Sequence, residues 1–146
     1  MKYESSLAQL VLADIIQMKV DAIVNSANCS LLGGGGVDGA IHKAAGPELL
    51  ATCSKIGGCD IEGVEVTPGF QLPAPWILHA VAPPAWQAMN AEAELRAMHL
   101  DAINIADDLS LKSIAFPAIA SAFSNIPCML WRVQQRLRRV LHGNII

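Results

Sequence analysis

Residues Asp21–Gly46 read "DAIVNSANCSLLGGGGVDGAIHKAAG". The run that opens this stretch, Val20–Asn25, is short and mostly apolar with Val and Ile, as a buried strand is. From Asp38 to about Ala45 the chain reads as a helix. Between the two lie four consecutive glycines, Gly33–Gly36. Glycine loses more conformational freedom on folding than any other residue, so four together mean that something must approach the backbone closely. Glycines ahead of a helix let backbone N–H groups converge on an anion. A flexible surface loop is the plainer account of the same composition. Gly34-x-Gly36-x-x-Gly39 matches the dinucleotide fingerprint in letters, but "SANCSLLG" separates the strand from the first of those glycines, and that motif needs them at the turn itself. No Lys-Ser or Lys-Thr follows, which excludes a P-loop.

Outward from this stretch the pattern stays regular. Gly46-Pro47 breaks the helix, and Pro47 starts a second one, "PELLATCSKI", as a first-turn proline. Gly57-Gly58 ends it. "GVEVTPGF" alternates weakly and closes on the turn signal Pro68-Gly69. "PWILHAVAP" reads as another buried strand. Residues 91–109 form the clearest helix, with Leu95, Met98, Ala102, Ile105 and Leu109 on one stripe. "KSIAFPAI" reads as a strand and "CMLWRVQQRLRRVL" as a final amphipathic helix. Upstream, residues 7–13, "LAQLVLA", fit a first strand. Strands alternating with helices argue an α/β layered domain with a mostly parallel or mixed sheet.

The chain has 146 residues, 53% apolar and 16% charged, which suits one folded domain over residues 1–146. No apolar run reaches membrane-spanning length, and the N-terminus lacks the cleavage pattern of a signal peptide. A soluble, cytoplasmic protein with no membrane partner is expected. Cys29, Cys53, Cys59 and Cys128 form no CxxC pair. Neither a metal site nor a disulfide framework is expected. The net charge of −3 does not favour nucleic acid. Arg132, Arg136, Arg138 and Arg139 cluster near the C-terminus, where a solvated helix face is the simpler reading.

"VDAIVNSAN", "LLGGGGVDGAIHKAAGPELL", "LPAPWILHAVAP" and "LKSIAFPAI" together resemble a macrodomain, the Appr-1″-p processing family. The likeness is strongest over residues 12–119 and is nearest to the branch that deacetylates O-acetyl-ADP-ribose and removes mono-ADP-ribose from acidic side chains. It implies a three-layer fold, a mixed central sheet between helices, with ADP-ribose in a cleft over the strand ends and no cofactor. It also implies that Asp14 accepts from the adenine amino group and that Ile15 lies near the ring. A carboxylate suits that donor because it only accepts. The resemblance further implies that Asn28 faces the distal ribose and that Asn25 helps to shape the loop. By the same resemblance, Gly34, Gly35, Gly36 and Val37 would cradle the diphosphate. It places Asp38 beside the distal ribose, where it would orient or deprotonate water, and His42, four residues on, shares its helix face and would support it. Asp38 at a helix start is also a good cap, and His79, inside an apolar strand, reads as structural.

After Ile119 the resemblance decays. The second phosphate loop is represented by Ser121, Ala122, Phe123 and Ser124, with Ala122 in place of a glycine and Ser124 in place of an aromatic residue. The last strand of the family is expected to be missing or vestigial, leaving an exposed edge through which the protein self-associates. Two functions compete. One is an ADP-ribose ester hydrolase. The other is a non-catalytic module that binds ADP-ribose or ADP-ribosylated proteins, favoured by the altered second loop.

Overall fold

A computed structural model describes residues 11–83 and 90–119. A one-turn 3-10 helix, Ile15–Gln17, leads into strand β1, Ala22–Ala27. Helices α1, Gly36–Ala45, and α2, Pro47–Ile56, follow, then strands β2, Val64–Pro68, and β3, Trp76–Val81. Helix α3, Ala91–Asp108, and the short strand β4, Ile114–Ala115, complete the described residues. No helix among them is long and apolar enough to cross a membrane.

The sheet order is β2-β3-β1-β4. β1 runs parallel to both β3 and β4, while β2 is antiparallel to β3. Side chains alternate between the two faces of a strand, and this alternation divides the core. Ile23, Ile77 and Val81 pack with Ile41, Ala45, Leu49 and Cys53 of α1 and α2 on one face. Ala22, Val24, Leu78 and Ala80 pack with Leu95, Met98 and Ala102 of α3 on the other. The result is the expected mixed sheet between two helical layers.

Local chemistry sets the element boundaries. Gly46 at φ +89° and Gly57 at φ +83° end the first two helices, a conformation that glycine adopts without strain. Asn90 caps α3 by accepting from Ala93 N, and Glu94 returns the bond to Asn90 N. Asp21 fastens the start of β1 to that of β4, its Oδ2 accepting from the backbone of Lys112 and Ser113.

Several expectations shift. Residues 11–13 are not in a strand, and residues 7–10 lie outside the described part. Helix α1 begins two residues earlier than expected, because Gly35 rather than Asp38 takes the capping position. β4 is far shorter than "KSIAFPAI", since Pro117 has no N–H to extend the ladder. The stripe of α3 ends before Leu109, which is 41% exposed. The final amphipathic helix, the vestigial last strand and the self-associating edge lie outside the described residues.

Candidate functional site

The polar side chains buried against α1 come from regular strand positions. Asn25 on β1 and His79 on β3 are direct register partners. Both share the parity of Ile23 and Ile77, so both face α1. Thr67 on β2 is the register partner of Ile77, which places it on the same face. All three are fully buried. A file of polar groups therefore crosses three adjacent strands beneath the first turn of α1.

The hydrogens in this file can be assigned from chemistry. A carboxylate only accepts, so Asn25 turns its amide nitrogen to Asp38, with Nδ2 donating to Oδ1 at 2.8 Å. The same Nδ2 lies 3.1 Å from His79 Nδ1, so Nδ1 must be the accepting nitrogen. The ring proton then sits on Nε2 and is donated to Thr67 Oγ1 at 2.9 Å. Thr67 in turn donates to the Pro68 carbonyl at 3.2 Å. Burial, with a smaller contribution from the nearby His42, lowers His79 to about 4. The ring is therefore neutral at neutral pH, as this pattern requires. Asn25 Oδ1 is buried with no hydrogen-bond partner among the described residues.

Asp38 divides its two oxygens. Oδ1 points inward, held by Asn25 and 3.5 Å from His42 Nε2 one turn along α1. Oδ2 points toward the glycine loop. A side chain on Gly34 would place its Cβ 3.3 Å from Oδ2 and 3.5 Å from Asn28 Nδ2. Asp38 and Asn28 therefore flank one point on the loop. Among the described residues Asp38 caps no backbone N–H, so the capping role does not hold.

Asn28 is exposed and organises the loop. Its Oδ1 accepts from Ser30 N, Ser30 Oγ and Leu31 N, and its Nδ2 donates to the Gly33 carbonyl. Loop shaping, expected of Asn25, thus falls to Asn28. Asn25 is sealed inside the sheet and acts on the loop through Asp38.

The glycines differ in what they permit. Gly33, at φ +87°, lies against the His42 ring. A Cβ on Gly39 would run into the Gly34 carbonyl, so the loop folds directly onto α1. Around Gly35 and Gly36 a Cβ would meet nothing within 4 Å. Gly34, Gly35, Gly36 and Val37 are exposed. The first N–H groups of a helix have no intrahelical acceptor and carry the positive end of its dipole. This open edge therefore suits an anion.

Asp14 is exposed ahead of the 3-10 turn, and its Oδ1 accepts from Ile16 N at 3.2 Å. Ile15 is half-buried against the core beneath α1 and α2. The structure thus brings Asn28 and Asp38 to Gly34, with Asn25 and His42 reaching Asp38 Oδ1 from behind. Ser121, Ala122, Phe123 and Ser124 lie outside the described residues. The sequence reading missed Thr67 and the link through His79. The available signal was an inward-facing polar residue on each of three strands.

Comparison with known proteins gives consistent results. The model of the Macro domain family matches residues 24–130. A Macro domain-containing protein of Chlorobaculum tepidum is 45% identical over 126 residues, covering 85% of this chain and 73% of its own length. The human protein named ADP-ribose glycohydrolase MACROD2 is 43% identical over 116 residues, 78% of this chain but 27% of the human protein. Among solved structures, the Oceanobacillus iheyensis macrodomain with ADP superimposes with a TM-score of 0.84 at 37% identity, over 91% of this chain and 75% of that one. The Trypanosoma brucei macrodomain in complex with ADP-ribose gives 0.75 at 36% identity, over 86% and 54%.

Proposed function

Because the chain belongs to the Macro domain family, we propose that it binds ADP-ribose over the glycine loop and hydrolyses ADP-ribose esters. The activity would include deacetylation of O-acetyl-ADP-ribose and removal of mono-ADP-ribose from acidic side chains. The ADP-ribose bound by the trypanosomal macrodomain and the name of the human relative support the ligand and a hydrolytic role. The observation that carries the reading is the Asp38 carboxylate. It is 5% exposed, anchored through Oδ1 by Asn25, and turns Oδ2 to the loop.

The chemistry follows from that placement. The diphosphate lies along Gly34–Val37, where free N–H groups and the helix dipole favour negative charge. The distal ribose comes between Asn28 and Asp38. Oδ2 accepts a proton from a water that attacks the ester carbonyl, and the ribose hydroxyl leaves. For the bond to an acidic side chain the same water attacks the distal ribose carbon, the carbon–oxygen bond breaks and the side-chain carboxylate leaves. General-base help of this kind is worth about 10²–10⁴ in rate. His42, 3.5 Å from Oδ1, supports the carboxylate from the helix side. Asp14 would accept from the adenine amine.

A binding module without turnover is the second reading. It is favoured by Ala122 and Ser124 in the second phosphate loop. Calorimetry with ADP-ribose and turnover of O-acetyl-ADP-ribose, on wild type and Asp38→Ala, separate the two. Hydrolysis by wild type, lost in a variant that still binds, is the expected result. Binding without turnover in both selects the module. Folded protein that shows no binding at millimolar ADP-ribose overturns both.

A further inference from the structure

We propose that His79 is a positioning residue for Asp38, acting through Asn25 and held in its working tautomer by Thr67. The proposal rests on the reading of Asp38 as the water-activating carboxylate. Asn25 Nδ2 has two hydrogens and two acceptors in reach, Asp38 Oδ1 and His79 Nδ1. An amide held at one contact can still rotate about its last torsion. Held at both, it cannot, and the direction of Asp38 Oδ1 is set with it. Oδ2 is thereby aimed at Gly34 and Asn28. The arrangement works only while Nδ1 accepts. A proton on Nδ1 would face the Asn25 N–H hydrogens, donor against donor. Thr67 guards against this, because its hydroxyl gives its own proton to the Pro68 carbonyl and leaves a lone pair for the Nε2 proton.

Burial and the nearby His42 keep the imidazole neutral against the carboxylates on the facing elements. His42 of α1 stands 6.3 Å away between ring centroids. Asp38 is reached only through Asn25, and Glu65 of β2 is the register neighbour of His79. Nothing here replaces the bond that His79 makes to Asn25, whose Oδ1 has no alternative partner among the described residues.

Three variants test the proposal. His79→Leu removes the acceptor. His79→Asn returns an acceptor oxygen at the place of Nδ1. Thr67→Val keeps the shape and removes the group that holds the tautomer. On an ADP-ribose ester, kcat should fall by about tenfold or more in the Leu variant, a loss on the scale of a small misplacement of a reacting group. The Kd for ADP-ribose should stay within about threefold, since the loss lies in the chemical step. The Asn variant should recover part of kcat, and Thr67→Val should lie between Leu and wild type. A merely structural histidine would lower thermal stability and leave kcat of the folded enzyme unchanged, which overturns the proposal. So does an Asn variant, shown to be folded, that is no better than Leu. The exchange of the Asn25 side-chain amide protons, read by NMR, needs no turnover. It should be slow in wild type and fast in His79→Leu. If wild type hydrolyses no ADP-ribose ester, the hydrolase reading fails, and these protons alone decide the positioning claim. Equal exchange in both proteins overturns it.

Discussion

Acidification should destabilise this domain through His79 by a definite amount. The imidazole titrates near 6.5 in the unfolded chain and at about 4 in the folded one, chiefly because it is buried and secondarily because His42 is near. Between these values the unfolded chain binds more protons, so stability rises with pH across the interval. The stabilisation is complete above about 6.5, declines as the pH falls toward 4 and is flat below it. Its size is about 3 kcal/mol, a large share of the 5–15 kcal/mol that holds a typical domain together. The structural cause is burial of the ring with His42 nearby, and a charged ring would also set a proton on Nδ1 against the Asn25 N–H hydrogens. Urea unfolding at half-unit steps from about pH 7.5 to pH 4, on wild type and His79→Leu, measures it. The Leu variant should be weaker at neutral pH but should show a shallower decline. His99, also pushed down by burial, titrates in both proteins, so it drops out of the difference. Parallel stability curves for the two proteins between pH 6.5 and 4 would refute the reasoning.

Four further outcomes follow from the site. Gly35→Ala should leave stability within about 0.5 kcal/mol, because a Cβ there meets no atom within 4 Å. Its methyl group enters the space proposed for the diphosphate, so calorimetry should show ADP-ribose binding weakened by about 1.4 kcal/mol or more. Gly39→Ala should cost about 1–3 kcal/mol in denaturant unfolding, since its Cβ would push the Gly34 carbonyl away. Asp38→Asn should lower turnover of O-acetyl-ADP-ribose by about 10²–10⁴ while ADP-ribose binding persists. Asp14→Ala should weaken ADP-ribose yet spare ribose 5-phosphate, and equal weakening of both would remove the adenine assignment.

The fold was legible where punctuation and hydrophobic pattern agree. Pro47 at the head of α2 and Gly57 at its end bracket the helix as their backbone preferences dictate. Leu95, Met98 and Ala102 lie where the helical period places them, buried on the sheet. β4 was read too long because pattern alone does not show where pairing stops. Around the site, the glycine loop declared itself by composition and Asp38 by the family resemblance, but the wiring beneath them did not. Asn25 and His79 are 54 residues apart and meet only because β1 and β3 pair in one register. A lone histidine in an apolar strand looks structural until its neighbours are known. The capping role of Asp38 failed for a similar reason. Its position in the first turn fits a cap, and only the buried amide below shows where the carboxylate is drawn.

The polar file across β2, β3 and β1 also bears on how the chain finds its fold. Parallel pairing of β1 with β3 and β4 joins distant segments, Ala22 with Trp76 and with Ile114, and such strands can dock one residue out of step. A slip of one residue turns every side chain to the opposite face. For β1 it would drive Asn25 among Leu95, Met98 and Ala102, which offer it no hydrogen bond. An unsatisfied buried amide costs about 1–3 kcal/mol, and His79 and Asp38 would lose their partner in the same event. Misdocked chains are thus held less tightly than correctly paired ones and can separate and try again. The groups that aim the carboxylate serve as a proofreading key for the sheet, so an incorrectly assembled domain is also one without a site.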